Sequence, residues 1–322
     1  MKATPKSFPL RLTQRAIPIP HYGIMKLGVL PILLVSACAI PGLIRAEVLR
    51  VGVSVLPLEE LVRSIGGERV EVMSLQQAGD SCSIFEPRPS TIRWLSGADV
   101  FFRVGAGYES AILEKVESRF PQLTVLDLRL AVPVLALGEH AHHDHEHHAC
   151  ASCASHATEA TDPHIWLDPL RLADMARWIA VRLGELLPQE RGRFIKAAEE
   201  AAERYQVIHD ELDAGLQPYR GRAFYIYHPA LAYFADRYGL EQVAIAASGE
   251  GPSARELHQL IVRAKKAGIG TIFIQPQESR KHADVVARAI GADLAEIDPM
   301  SPQVEANLQN IGQALLRAFA AD

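Results

Sequence analysis

The stretch "GEHAHHDHEHHACASCASH" at residues 138–156 holds His140, His142, His143, His145, His147, His148 and His156, seven of the chain's 13 histidines. Neutral imidazole is the commonest protein ligand for zinc-like metals. The run has no apolar content to form a core, so its composition reads as metal binding. Its connection, residues 132–163, is long for a compact domain, and such connections are functional or unstructured. The bland alternative is a solvated segment with no role. We read the tract as accessory, a multi-ligand collector beside a fixed site. Affinity per ligand is then low, local ligand concentration is high, and binding collapses below about pH 6 as the imidazoles protonate.

Three other donors stand where strands or loops end. His164 lies in "DPHIWLDP" before a helix, His228 closes the strand-like "RAFYIYH" ahead of Pro229, and Asp298 closes "EIDP". Two imidazoles and a carboxylate suit zinc, with room for a fourth ligand. Each also has an ordinary reading. A histidine after a strand is more often a capping or core residue, and an aspartate before proline is often a turn initiator, as Asp168 and Asp298 would be.

The elements that must position these donors follow from periodicity. Apolar runs at 48–55, 69–75, 99–105 and 123–128 read as strands, separated by helical patterns at 59–67, 90–98 and 108–120. Near-continuous apolar strands alternating with helices indicate a parallel sheet covered on both faces. A helix follows Pro169. Then Phe194, Ala197, Ala198, Ala201, Tyr205, Ile208 and Leu212 recur at helical spacing, predicting one long amphipathic helix within 188–219. A second set follows, with strands at 222–228, 241–248, 270–276 and 292–298 and a closing helix from Pro302. The expected fold is α/β: a lobe over 47–187, a linker helix over 188–219 and a lobe over 220–322. A ligand is expected in the cleft beyond the strands' C-terminal ends. "VGAGYE" at 104–109 lacks the third glycine of a dinucleotide fingerprint and reads as a tight turn.

With 48% hydrophobic residues and a net charge of −5, the chain has no basic footprint for nucleic acid. Residues 1–46 read as an export segment. A lysine at 26 precedes an apolar run, Leu27 to Ala37, too short to span a membrane. "VSAC" ending at Cys38 resembles a lipobox, and simple cleavage after Ala46 is the competing reading. Export places Cys82, Cys150 and Cys153 in an oxidising compartment. A Cys150–Cys153 disulfide then competes with metal ligation, and Cys82 is the odd thiol.

In order, "FEPRPSTIRWLSGADVFFRVGAGYE", "DPHIWLDP", "YHPALAYFADRYGL", "GEGPSARELHQLIVRAKKAGIGTIFIQPQ" and "EIDP" resemble the zinc- and manganese-binding solute-binding proteins of bacterial ABC importers over residues 47–322. The resemblance implies two α/β lobes linked by a rigid helix. It also implies a monomer outside the cytoplasmic membrane that captures a divalent metal and delivers it to a permease. It assigns His164, His228 and Asp298 to the metal, and the histidine at 228 together with a histidine-rich insert points to the zinc-type members. Zn²⁺ is the expected ion, ahead of Mn²⁺ or another transition metal. Where the family has a further histidine, this chain has Ser83, preceded by Cys82. A thiolate ligates zinc strongly and a hydroxyl poorly, so Cys82 is the candidate fourth ligand, with water, Glu86 or a tract histidine as alternatives. Two other classes remain open: a metal-dependent hydrolase with an open coordination position, for which Glu86 is the nameable base, and a surface metal buffer or adhesin.

Overall fold

The computed structural model describes residues 48–80, 85–136, 161–246 and 254–321. The export segment, Cys38, Cys82, Ser83, Cys150, Cys153 and every tract histidine lie outside them.

Two four-stranded, all-parallel sheets form the frame. The first, ordered β2-β1-β3-β4, uses β1 (Leu49–Val53), β2 (Val70–Ser74), β3 (Val100–Arg103) and β4 (Thr124–Asp127). Its helices are α1 (Pro57–Gly66), α2 (Pro89–Leu95) and α3 (Glu109–Arg119). After a short 3-10 turn, Ile165–Leu167, α4 (Pro169–Leu186) runs back against α5 (Arg191–Leu216). The second sheet, β6-β5-β7-β8, uses β5 (Ala223–Ile226), β6 (Glu241–Ala244), β7 (Thr271–Ile274) and β8 (Asp293–Glu296). Its helices are α6 (Ala232–Tyr238), α7 (Ala254–Ala267), α8 (Arg280–Ile290) and α9 (Val304–Ala321). Both sheets reverse winding direction beside their first strand, and loops at such a switch point leave a crevice at the strands' C-terminal ends.

α5 is 26 residues long, about 39 Å at 1.5 Å per residue. Phe194, Ala198, Ala201, Tyr205, Ile208, Leu212 and Leu216 form its buried stripe, while Ala197 is only half-buried. One apolar cluster runs from Leu49 in β1 through this stripe to Phe319 in α9. Phe224, Ile226 and Phe273 of the second sheet face it, and Tyr225, Ile272 and Ile274 face a smaller cluster under α7 and α8. Strands buried on both faces explain why their sequence is almost uniformly apolar. A Cβ at Gly312 would stand 2.1 Å from Leu212 Cδ2, so glycine lets α9 approach α5.

The turn after β3 is built on Gly105, whose φ of +84° favours glycine. Glu109, 1% exposed, accepts the N–H groups of Val104 at 3.0 Å and Gly105 at 2.8 Å. The "GAG" run is therefore a turn held by a carboxyl group. Burial is the main influence on Glu109 and raises its pKa above the usual carboxylate value, against the pull of those hydrogen bonds. A carboxyl group raised in the folded state contributes stability that is present below its unfolded pKa, about 4.3, and lost as pH rises through the folded value. The stability advantage of the native chain over Glu109→Gln is expected to shrink as pH rises from about 4 through that window. Urea midpoints of the metal-free proteins across this range check it. An advantage growing with pH would mean that the fold prefers the ionised form.

Candidate metal centre

His164 is fixed by the loop entering α4. Asp162, two residues earlier across Pro163, accepts the His164 backbone N–H at 2.8 Å and meets Nδ1 at 2.7 Å with the same oxygen, Oδ1. Both residues are buried, at 5% and 4% exposure. A carboxylate only accepts, so Nδ1 carries the hydrogen and Nε2 keeps the lone pair a metal needs. Carboxylate–histidine pairs of this kind orient metal-ligating rings.

His228 arrives from the other sheet. β5 ends at Ile226, and two residues later the side chain of Gln275, just past β7, replaces the sheet ladder. Its Oε1 accepts the His228 N–H at 3.2 Å, and its Nε2 donates to the His228 carbonyl at 2.7 Å. His228 therefore stands at the switch point of the second sheet, half-buried. The His164 and His228 rings meet edge-to-face, with centroids 5.6 Å apart.

Asp298 lies two residues beyond β8. Its Oδ1 accepts from Gln277 Nε2 at 2.9 Å and from the Met300 N–H at 3.0 Å, and its carbonyl accepts from Asn307 Nδ2 at 2.8 Å. Trp166 ties this turn to the first lobe. Its ring centroid lies 5.3 Å from that of His164, and its indole N–H donates to the Pro299 carbonyl at 2.9 Å. The structure thus brings the two histidines into contact and tethers the Asp298 turn beside them. Among the described residues, no three His, Cys, Asp or Glu side chains stand close enough together to hold a metal ion. Glu86 is exposed, and Phe85 beside it packs edge-on against Tyr108 with centroids 4.9 Å apart.

Asp162, Trp166, Gln275 and Gln277 were not singled out from the sequence. Only the Asp-Pro-His spacing offered a signal, since a carboxylate two residues before a histidine can bond both its backbone and its ring. Asp168, whose ordinary reading is a turn initiator before proline, is a helix cap: Oδ1 accepts the Leu170 N–H at 2.9 Å. It is also a buried ion-pair centre for Arg171 and Arg237.

Two parallel-sheet lobes joined through a long helix, with the His164 and His228 rings in contact, have the architecture of a solute-binding protein. The chain matches the family model for the periplasmic component A of zinc-uptake complexes over residues 51–320 and belongs to that family. It is 32% identical over 318 residues to the high-affinity zinc uptake system protein ZnuA of Paracoccus denitrificans, covering 89% of this chain and 96% of the relative. A crystal structure of ZnuA superposes with a TM-score of 0.77 at 31% identity, covering 84% of this chain and 99% of that one. The zinc-binding protein AdcA of Streptococcus pyogenes serotype M3 matches at 26% identity over 260 residues, 79% of this chain, and there the chain spans only 50% of the relative's length.

If His164 ligates through Nε2, Asp162→Ala frees the ring to rotate and to change tautomer. Zinc affinity is expected to fall roughly 10- to 100-fold, the usual cost of losing such a carboxylate partner. Competition against a zinc-selective chelator measures it. An unchanged Kd would remove Asp162 from the site.

Proposed function

We propose that this protein captures Zn²⁺ outside the cytoplasmic membrane and delivers it to the permease of an ABC importer. The observation that carries the reading is the contact between His164 and His228, each held at its backbone so that the rings of two lobes meet. Zinc is cargo here, so both binding and release matter, and a site divided between lobes can loosen when they part. His164 and His228 are the core ligands, Asp298 the carboxylate ligand and Cys82 the fourth. The lobes are 47–187 and 220–322, joined by 188–219. The working unit is a monomer, with a lipid anchor at Cys38. Among the described residues no helix is long and apolar enough to cross a membrane. The hydrolase alternative is not favoured, because Glu86, the base named from sequence, is exposed and the family is one of metal uptake.

Zinc titration of the chain with and without residues 138–156 tests the division of labour. One tight equivalent is expected in both proteins, with additional weaker equivalents only where the tract is present. If the tight equivalent leaves with the tract, the interlobe site is not the capture site.

A further inference from the structure

α7 and α8 lie side by side over one face of the second sheet, on the smaller apolar cluster and away from α5. Leu260 and Ala264 of α7 and Ala283, Val286 and Ala287 of α8 make their buried faces. The opposite face of α7 carries Arg255, Gln259, Val262 and Lys266 at i, i+4, i+7 and i+11, one helical stripe, and Arg263 and Lys265 flank it. All six are exposed. The matching stripe of α8 is Lys281, Val285 and Arg288, also exposed, with exposed Arg280 at the start of the helix.

Residues 254–291 hold seven Lys or Arg against three Asp or Glu, in a chain whose net charge is −5. Ordinary surfaces intersperse both signs. The first lobe does so: Arg50, Arg63, Arg69 and Arg103 each pair with a carboxylate. Among the described residues, none of the seven cations on α7 and α8 forms an ion pair. Even Arg288 donates to the Asp284 backbone carbonyl, at 3.1 Å, rather than to its carboxylate. Positive charge is therefore gathered on one two-helix face and left without internal counter-charge.

The composition of the face decides which anionic surface it suits. Interfaces between proteins are poor in lysine and centre on aromatic anchors seated in pockets. α7 and α8 hold three lysines and no Phe, Tyr or Trp, and their large exposed apolar residues are Val262 and Val285. A layer of lipid headgroups asks for less. Cations within a Debye length of a charged plane each add attraction without a fixed partner geometry.

We propose that the α7–α8 face rests on the anionic phospholipid headgroups of the cytoplasmic membrane. The proposal takes only export from the reading above and is independent of the zinc site. Because the face is the outside of a helical layer, while His228 lies beyond the end of a strand, a protein held this way keeps its metal crevice uncovered.

Co-sedimentation of the exported protein, carrying no lipid at Cys38, with vesicles of phosphatidylcholine alone or with added phosphatidylglycerol tests it. Binding is expected only where phosphatidylglycerol is present. It should be lost as ionic strength rises from about 0.1 M to about 1 M, where the Debye length falls from about 10 Å to about 3 Å. Lys265→Gln/Lys266→Gln is expected to weaken it roughly 30-fold, about fivefold for each cation removed. Lys281→Gln/Arg288→Gln should act likewise. Arg182→Gln/Lys196→Gln makes the same change in net charge on exposed positions of α4 and α5 and should stay within about twofold of the native protein. Equal binding to the two kinds of vesicle, no binding to either, or equal losses in all three variants would overturn the proposal. So would a Lys265→Gln/Lys266→Gln protein that binds vesicles like the native chain yet delivers zinc more slowly to a permease reconstituted in phosphatidylcholine, since the face would then serve an acidic protein surface.

Discussion

Replacing both His164 and His228 by alanine is expected to abolish the tight zinc equivalent while leaving a folded protein. The two rings are 5.6 Å apart between centroids, within the span of one tetrahedral ion whose Zn–N bonds are about 2.0–2.1 Å long. Zinc sites of four ligands are worth about 12 kcal/mol near pH 7, or about 3 kcal/mol per ligand. Each single substitution should therefore weaken binding roughly 150-fold, and the pair about 10⁴-fold. His228 is half-buried, and alanine at 164 keeps the backbone N–H that Asp162 accepts, so thermal stability of the metal-free protein should change less than affinity. Chelator competition with circular dichroism on the same samples separates the two effects. A tight equivalent surviving the double substitution would place capture elsewhere, in the tract or at Cys82, and the interlobe contact would be only structural.

Much of this arrangement was legible in the sequence, for identifiable reasons. Every strand and helix expected from the apolar periodicity within the described residues is present, most with ends trimmed by one to four residues, while α1 and α2 start two and one residues earlier than expected, at Pro57 and Pro89. Proline and glycine punctuation helped, as with Pro169 opening α4 and Gly239 and Gly291 closing α6 and α8 in left-handed conformations. The place of His228 at the C-terminal edge of the second sheet was legible because it closes the strand-like "RAFYIYH", although the strand itself stops at Ile226, two residues before it. What stayed hidden depends on contacts between distant segments. Nothing in "YHPALAYFADRYG" says that the Tyr233 hydroxyl reaches Leu135, 98 residues away. Nor does "EIDP" announce that Trp166 holds the following proline's carbonyl, 133 residues away. Cys82, the thiol offered in place of the family's usual histidine, lies outside the described residues. Its candidacy rests on thiolate chemistry beside Ser83, the position where the family has a histidine.

Asp168→Asn should produce the largest loss of stability. The carboxylate is fully buried and caps α4 through the Leu170 N–H. It accepts from Arg171, and from Arg237 of α6 at 2.8 Å and 3.1 Å. Burial works against the Arg237 charge, yet the carboxylate overrides it and raises the pKa of that guanidinium. Asparagine keeps the volume but turns an –NH₂ toward two guanidinium groups: buried Arg171 keeps only Asp236, 3.7 Å away, and half-buried Arg237 loses its carboxylate. Breaking such a pair costs about 3–5 kcal/mol, which for a chain of this size lowers the melting temperature on the order of 10 °C. The consequence reaches the metal, because Asp168 stands four residues beyond His164 and its partner Arg237 lies on the helix after His228. Both loops lose a support at once. Zinc affinity should fall, but by less than tenfold, since the Asp162 and Gln275 bonds that hold the two histidines remain. Calorimetric melting with and without zinc reads both quantities. A shift below about 1 kcal/mol would show that water reaches and screens this ion pair, and that the two lobes are joined mainly by the apolar stripe of α5.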